Sequence, residues 1–360
     1  MKGRLPVLLA VAWGLAHAAA GAGQEREDGL HMLAAVQGKV EVKRKGGSGY
    51  VPGTVGMAVR RGDLVRLDGS AQAKVVCADL KQHELPAGRL SGIPCDGARP
   101  VLRASDGSLL NPTRAGEADG IPVVVAPRRT KLLDPRPVLR WEPMPGVDAF
   151  KVGVRGPEVD WSTDVRGATS AAYPQDAPAL KPGATYKVVV VANGRSSEEA
   201  SEPGLGFTLL GAEEAQAVRG EAERIRSLGL DGNAEKLLIA HLHASHGLDA
   251  EAIALLEELA MGSKVPAALR ALGDLYGRAG LYHLAEERYL KAAQLSEEAG
   301  DREGQALARQ ALGVLYREAL GLEDEAKRAF GAALELFRAL GDATAVQQIE
   351  EQLKNARDPL

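Results

Sequence analysis

The sequence predicts a multidomain chain of α and β parts: two small all-β units, then an α-solenoid of about three helix pairs. Three observations predict it. Before residue 210, short runs alternate apolar and polar residues and are cut by Gly and Pro turns, which is strand periodicity. Beyond residue 233, small and large residues recur in a fixed order, which is the mark of stacked helix pairs. The chain has 360 residues, 45% of them apolar and only 4% aromatic. That length suits more than one domain, with cores built mainly from Ala, Leu and Val.

The charge is uneven. The formal net charge is −4 over the whole chain, whereas residues 211–360 carry 26 acids and 17 bases, a net −9. This balance argues against a nucleic-acid partner, which selects a basic face. An acidic helical half suits either a basic partner or simple solvation.

Residues 1–22 read as a secretory signal peptide. Lys2 and Arg4 precede an apolar run from Leu5 to Trp13, and Ala18-Ala19-Ala20 and Ala20-Gly21-Ala22 both satisfy a small-residue cleavage rule. The apolar run is too short for a stable span. No later stretch reaches the roughly 18 apolar residues of a spanning helix. The expectation is a protein without a transmembrane segment once the leader is removed, periplasmic or, alternatively, secreted.

The first unit covers residues 31–96. Gly38-x-Val40-x-Val42 alternates and Gly46 to Gly49 turns. Gly56 with Val59 and the Gly62-Asp63 turn follow, and Ala71 to Val75 alternates again. This order resembles the small β domain of FecR-like proteins, which implies an extracytoplasmic contact module. The match weakens at Cys77 and Cys95, the chain's two cysteines. In an exported chain such a pair is expected to form a disulfide, the alternatives being a metal pair or a reactive thiol. Closing that loop would stabilise by roughly 3 kcal/mol in the chain-entropy model. His83-Glu84 begins like a zinc-protease helix, but Leu85-Pro86 follows and no second His appears. A surface turn is expected there.

Residues 97–120 are rich in Gly, Pro, Ser and charge, and read as a linker or extended wrap. Residues 121–210 then place strands near 121–126, 137–141, 149–154, 159–165, 185–192 and 205–210, the rhythm of an all-β sandwich. Pro137-x-Leu139-x-Trp141, Phe150-x-Val152-x-Val154 and Leu180-x-Pro182-Gly183-x-x-Tyr186-x-Val188 resemble a fibronectin type III domain. The resemblance implies a buried Trp141 and a Tyr186 hydroxyl bonded back to the chain. Trp161 has two readings, an exposed aromatic for sugar or peptide contact and ordinary edge packing; packing is the more common fate.

Residues 211–232 hold a leading helix with Ala215, Val218, Ala222 and Ile225 on one stripe. Residues 233–342 hold the repeats. Gly247, Gly280 and Gly321 mark turns 33 and 41 residues apart, followed by Ala252, Ala285 and Ala326 and then Leu256, Tyr289 and Phe330. Ala240, Gly273 and Gly313 precede them, each with an inward His243, Tyr276 or Tyr316 three residues on. The pattern resembles the tetratricopeptide repeat, whose period is roughly 34 residues. The second copy fits best, the first has His243 in place of Tyr, and the third carries one extra residue around Glu318 to Gly321. Residues 343–360 suit a polar capping helix, which solenoids need for solubility.

The repeat resemblance implies a scaffold that binds another protein or peptide through a groove of inner helices. Leu269, Asp274, Arg278, Arg309 and Arg317 are the candidate contacts. Cell-wall glycan, bound by the β units, is the other candidate partner. His241-x-His243-x-x-His246 with Asp249 invites a metal reading, but position 243 is already explained as the repeat's inward residue, so no metal is expected. No nucleophile elbow, phosphate loop or credible Ser/His/Asp set occurs. The expectation is a non-enzyme with no cofactor, and the linkers suggest freedom between its units.

Overall fold

The computed structural model describes residues 29–96, 100–102, 120–200, 205–262 and 264–355. The leader and most of the 97–120 linker lie outside the described residues. A β region is followed by a helical repeat region.

The first β unit is two four-stranded sheets. One runs in space as Ala58–Val59, His31–Gln37, Gln72–Val76 and Gln82–Leu85; the other as Val51–Pro52, Val40–Lys43, Leu64–Leu67 and Leu90–Gly92. Alternation decides which side chains enter: Val40, Val42, Val65 and Leu67 are buried, while Glu41, Lys43 and Arg66 are not. The turn expected at His83-Glu84 is instead a strand, with His83 in register with Val75. Gln82 to Leu85 alternates too briefly to stand out without its partner strand. Cys77 and Cys95 form a disulfide across a Cα–Cα distance of 5.5 Å.

The second β unit pairs a three-stranded sheet (Ser170–Ala172, Val138–Trp141, Val124–Ala126) with a larger one. The latter runs Thr130–Leu132, Phe207–Leu209, Thr185–Ala192, Ala149–Gly156 and Val159–Arg166. Trp141 is buried against Phe150, ring centroids 5.5 Å apart. The Tyr186 hydroxyl accepts the Lys181 N–H at 2.9 Å. Trp161 packs edge-on to Tyr173 at 5.0 Å, so packing accounts for it.

Eight helices follow: α1 (Ala212–Arg226), α2 (Gly232–Ser245), α3 (Asp249–Gly262), α4 (Pro266–Ala279), α5 (Tyr282–Glu298), α6 (Arg302–Val314), α7 (Glu323–Leu340) and α8 (Ala343–Asn355). Their close approach is set by the small residues. A Cβ on Gly273 would lie 2.5 Å from Tyr289 Cε1, and one on Gly313 2.6 Å from Phe330 Cδ1, distances no side chain tolerates. The extra residue of the third copy is absorbed inside the helix: Leu315–Leu320 forms a π-helical turn after α6, the usual way a helix accommodates one inserted residue.

The units are not free of one another. Leu30, Met32, Ala34 and Val76 of the first unit, Leu102 of the connection, Val125 of the second unit, and buried faces of α1 to α4 form one continuous apolar core. The freedom suggested by the linker composition is therefore absent where this core is shared. On one flank the loop before Met57 presses on the repeats: a Cβ on Gly56 would meet Leu237 Cδ2 at 2.7 Å and Ala267 Cβ at 3.1 Å. Gly49 N–H donates to Leu340 O at 3.4 Å. Between these contacts Arg44 donates to Asp63 Oδ2 (2.6 Å), Ala58 O (2.9 Å) and Glu303 Oε1 (2.7 Å). On the other flank Arg140 makes a two-pronged pair with Glu257 (2.6 and 2.8 Å). Arg128 Nε donates to Ala279 O at 2.7 Å, at the C-terminus of α4, where a cation is favoured.

Two outcomes follow for stability. Arg44→Met leaves two buried carboxylates without their cation and lowers unfolding free energy in urea by about 3–5 kcal/mol. The Cys77→Ser/Cys95→Ser variant loses roughly 3 kcal/mol in the same measurement, and reductant reproduces that loss only in the parent chain.

Candidate interaction site

The first helices of the three pairs, α2, α4 and α6, carry a row of half-buried polar groups. His241 of α2 lies beside Arg270 and Arg278 of α4. Asp274, one turn from each arginine, accepts from Tyr289 Oη at 2.8 Å and from Arg270 Nη1 at 3.3 Å. Arg278 Nη2 donates to Asp249 Oδ1 at 2.8 Å, tying α4 back to α3. Tyr276 in turn donates to Glu257, the same carboxylate that Arg140 grips.

Burial and charge set the protonation states. Desolvation, then the Arg270 and Arg278 charges, pushes His241 down to about 4, so its imidazole is neutral near pH 7. Burial raises the Asp274 carboxyl, opposed by Arg270, the Tyr289 hydrogen bond and Arg278. Burial, reinforced by Asp274, raises the Tyr289 hydroxyl. The cluster is thus a neutral imidazole, two cations and two acids held in a fixed network.

The five residues nominated from sequence fall in different settings. Leu269 is 4% exposed and packs with Ala292, Ala293, Leu295 and Ala308. Asp274 and Arg278 come together in the network just described. Arg317 lies over the Phe330 ring at 5.0 Å and donates to Gln352 O of α8 at 2.8 Å. Arg309 is half-buried on α6, with its charge felt at the Tyr316 hydroxyl. His241 and Arg270 were not nominated, although both had a signal: His241 is one 33-residue repeat before Asp274, and Arg270 one helical turn before it.

His241 and His243 of α2 and His246 just past its end do not converge. His246 Nε2 is 3.1 Å from Glu221 Oε2 of α1, His241 faces the α4 arginines, and His243 Nδ1 is buried without a hydrogen-bond partner among the described residues. The one group with metal-ligand spacing among the described residues is His31, Cys77 and Cys95. Its cysteines are bonded to each other, and His31 Nδ1 accepts the Ala78 N–H at 2.9 Å. No described helix is long and apolar enough to cross a membrane.

Residues 264–339 match the tetratricopeptide repeat model. That span covers α4 to α7, the part where the glycine–ring contacts are tightest. Repeats of this family build protein–protein interaction scaffolds, and the helical region is of that kind. A comparison with curated proteins finds no match. Among solved structures, BtubC (BKLC) from P. vanneervenii is similar at 23% identity and a TM-score of 0.35, over 41% of this chain and 66% of that one. At that score the likeness carries no argument.

His243 provides a pH test. Burial, with Arg226 and His246 nearby, lowers it from the ordinary 6.5 to about 4. A histidine depressed by folding lends stability above its unfolded pKa and loses it as pH falls toward the folded value. His243→Phe removes that loss. Its urea midpoint should fall less than the parent's between pH 6.5 and 4, the gap changing by up to about 1.4 kcal/mol per pH unit. Buried carboxylates titrate in both proteins and cancel in the comparison.

Proposed function

We propose that the protein is a non-enzymatic, exported scaffold that holds an extended or helical segment of another protein against the first helices of its repeats, in a bacterial envelope. The observation that carries the reading is the match of residues 264–339 to a repeat that binds proteins, together with the half-exposed polar row on α4 and α6. The leader pattern and the disulfide support an oxidising compartment outside the cytoplasm.

The network on α4 shapes what a partner meets. Asp274 and Arg278 are already engaged, so they present a pre-set pattern of charge and cost little ordering when a partner arrives. Arg309 and the neighbouring Gln310 and Val314 of α6 are half-buried and complete the row. Leu269 supports that row from beneath.

The test uses the whole chain, because a cut at residue 210 would open the shared core. Parent and Arg309→Glu proteins are immobilised and exposed to envelope extract. The expected outcome is a discrete protein retained by the parent and reduced about tenfold by the variant, at unchanged thermal stability, as for loss of one charged contact near 1.4 kcal/mol. Equal retention by both removes α6 from the site. Retention of wall polymer in place of protein overturns the reading.

A further inference from the structure

The second β unit has one edge unlike the others among the described residues. Strand Val159–Arg166 is eight residues long and ends the larger sheet, with no described strand on its outer side. The other described edge strands have two to four residues. A long bare edge offers a row of unpaired backbone groups and invites another strand.

The register shows which groups are bare. The strand pairs with Ala149–Gly156 through a two-residue loop, closing at Gly156 opposite Val159. In such a hairpin the closing pair is hydrogen-bonded and pairs alternate from there. Val159, Trp161, Thr163 and Val165 therefore turn their N–H and C=O toward the neighbour. Asp160, Ser162, Asp164 and Arg166 turn theirs outward. The side chains of these last four are exposed, whereas Trp161 and Val165 lean on the sandwich core.

The sequence of this edge complements itself. When a second copy is laid antiparallel about Thr163, Asp160 falls opposite Arg166, Ser162 opposite Asp164, and Trp161 opposite Val165, each pair occurring twice. The outward-facing residues then meet each other, giving about eight new backbone hydrogen bonds in a regular ladder. Charges alternate across the joint. Asp160, whose neighbour on its own sheet is Arg155 at 3.4 Å, would lie between two guanidiniums, and Asp164 already has Lys151 in register behind it. A strand of unrelated sequence would have to face those charges unanswered, which is how edges are normally protected.

We propose that this edge is a homodimer interface: two copies of the chain join through Val159–Arg166, antiparallel about Thr163, into one continuous sheet. Association stops at two, since the opposite edge of the same sheet is occupied. There Lys131 N–H donates to Gly247 O at 2.8 Å and Leu133 N–H to Glu251 Oε1 at 2.7 Å, both on the repeats.

The experiment is sedimentation equilibrium of the full chain with three variants, each checked for folding by circular dichroism. Ser162→Pro removes an outward N–H while sparing the inner ladder. Arg166→Asp sets like charges opposite each other twice, and Asp160→Arg/Arg166→Asp exchanges them. The expected result is a parent dimer whose dissociation constant rises about tenfold or more in each single variant and returns to within about fivefold in the exchange. A parent that stays monomeric, or a dimer indifferent to Arg166→Asp, overturns the proposal. So does an exchange that rescues nothing. If Ser162→Pro does not fold, the charge pair alone decides.

Discussion

One guanidinium holds the architecture to a single arrangement. Arg44 directly follows the strand Val40–Lys43 of the first β unit, bonds the Asp63 carboxylate of its own unit, and reaches Glu303 at the start of α6. Asp63, 2% exposed, is itself fixed by the Lys45 and Arg60 N–H groups. Burial pushes the Glu303 carboxyl up and the Arg44 charge pulls it down, so the pair is a balance of desolvation against attraction. Such a pair adds little net stability over an apolar substitute. Its value is geometric, because three bonded atoms in a fork accept only one placement of helix α6 beside the strand.

Around that point the β units act as side walls for the helical stack. The first touches the helices at Leu237 within α2, at Ala267 and Glu303 near the starts of α4 and α6, and at Leu340 at the end of α7. The second holds the turns at Gly247 and Ala279 and the middle of α3 at Glu257. Repeat stacks are quasi-one-dimensional, each pair touching only its neighbours, and bend easily along their length. Here contacts from outside the stack tie all three pairs to the β units, and the row of His241, Asp274 and Arg278 is held with them. The polar row that a partner would meet is preset by parts of the chain that never touch the partner.

Much of this was legible in the residues. The helix pairs followed from the order of Gly273, Tyr276, Ala285 and Tyr289, because steric constraints between adjacent helices are local in sequence. The Tyr186 bond was expected from a short motif for the same reason, and the disulfide from a single pair of cysteines behind an export leader. What stayed hidden depends on distant partners. The strand at Gln82–Leu85 exists because Gln72–Val76 lies beside it. The shared core exists because Met32 and Leu102 meet α1 and α2, and nothing in a linker's composition announces burial at its ends. Arg44 carries no local signal of its role, which depends on Glu303 standing opposite it. The site was half legible: position in the repeat pointed to Asp274 and Arg278, but only the folded chain shows His241 and Arg270 completing the cluster.

The bond from Gly49 to Leu340 joins segments almost three hundred residues apart, and Arg44 to Glu303 spans nearly as far. A ribosome makes the first β unit early and the helices that complete it last. Until α1 and α2 emerge the face around Met32 has nothing to cover it, and until α6 follows Arg44 has only one of its two carboxylates. The chain must therefore carry an unfinished apolar surface through most of its own production, and it becomes whole only when its two ends have met.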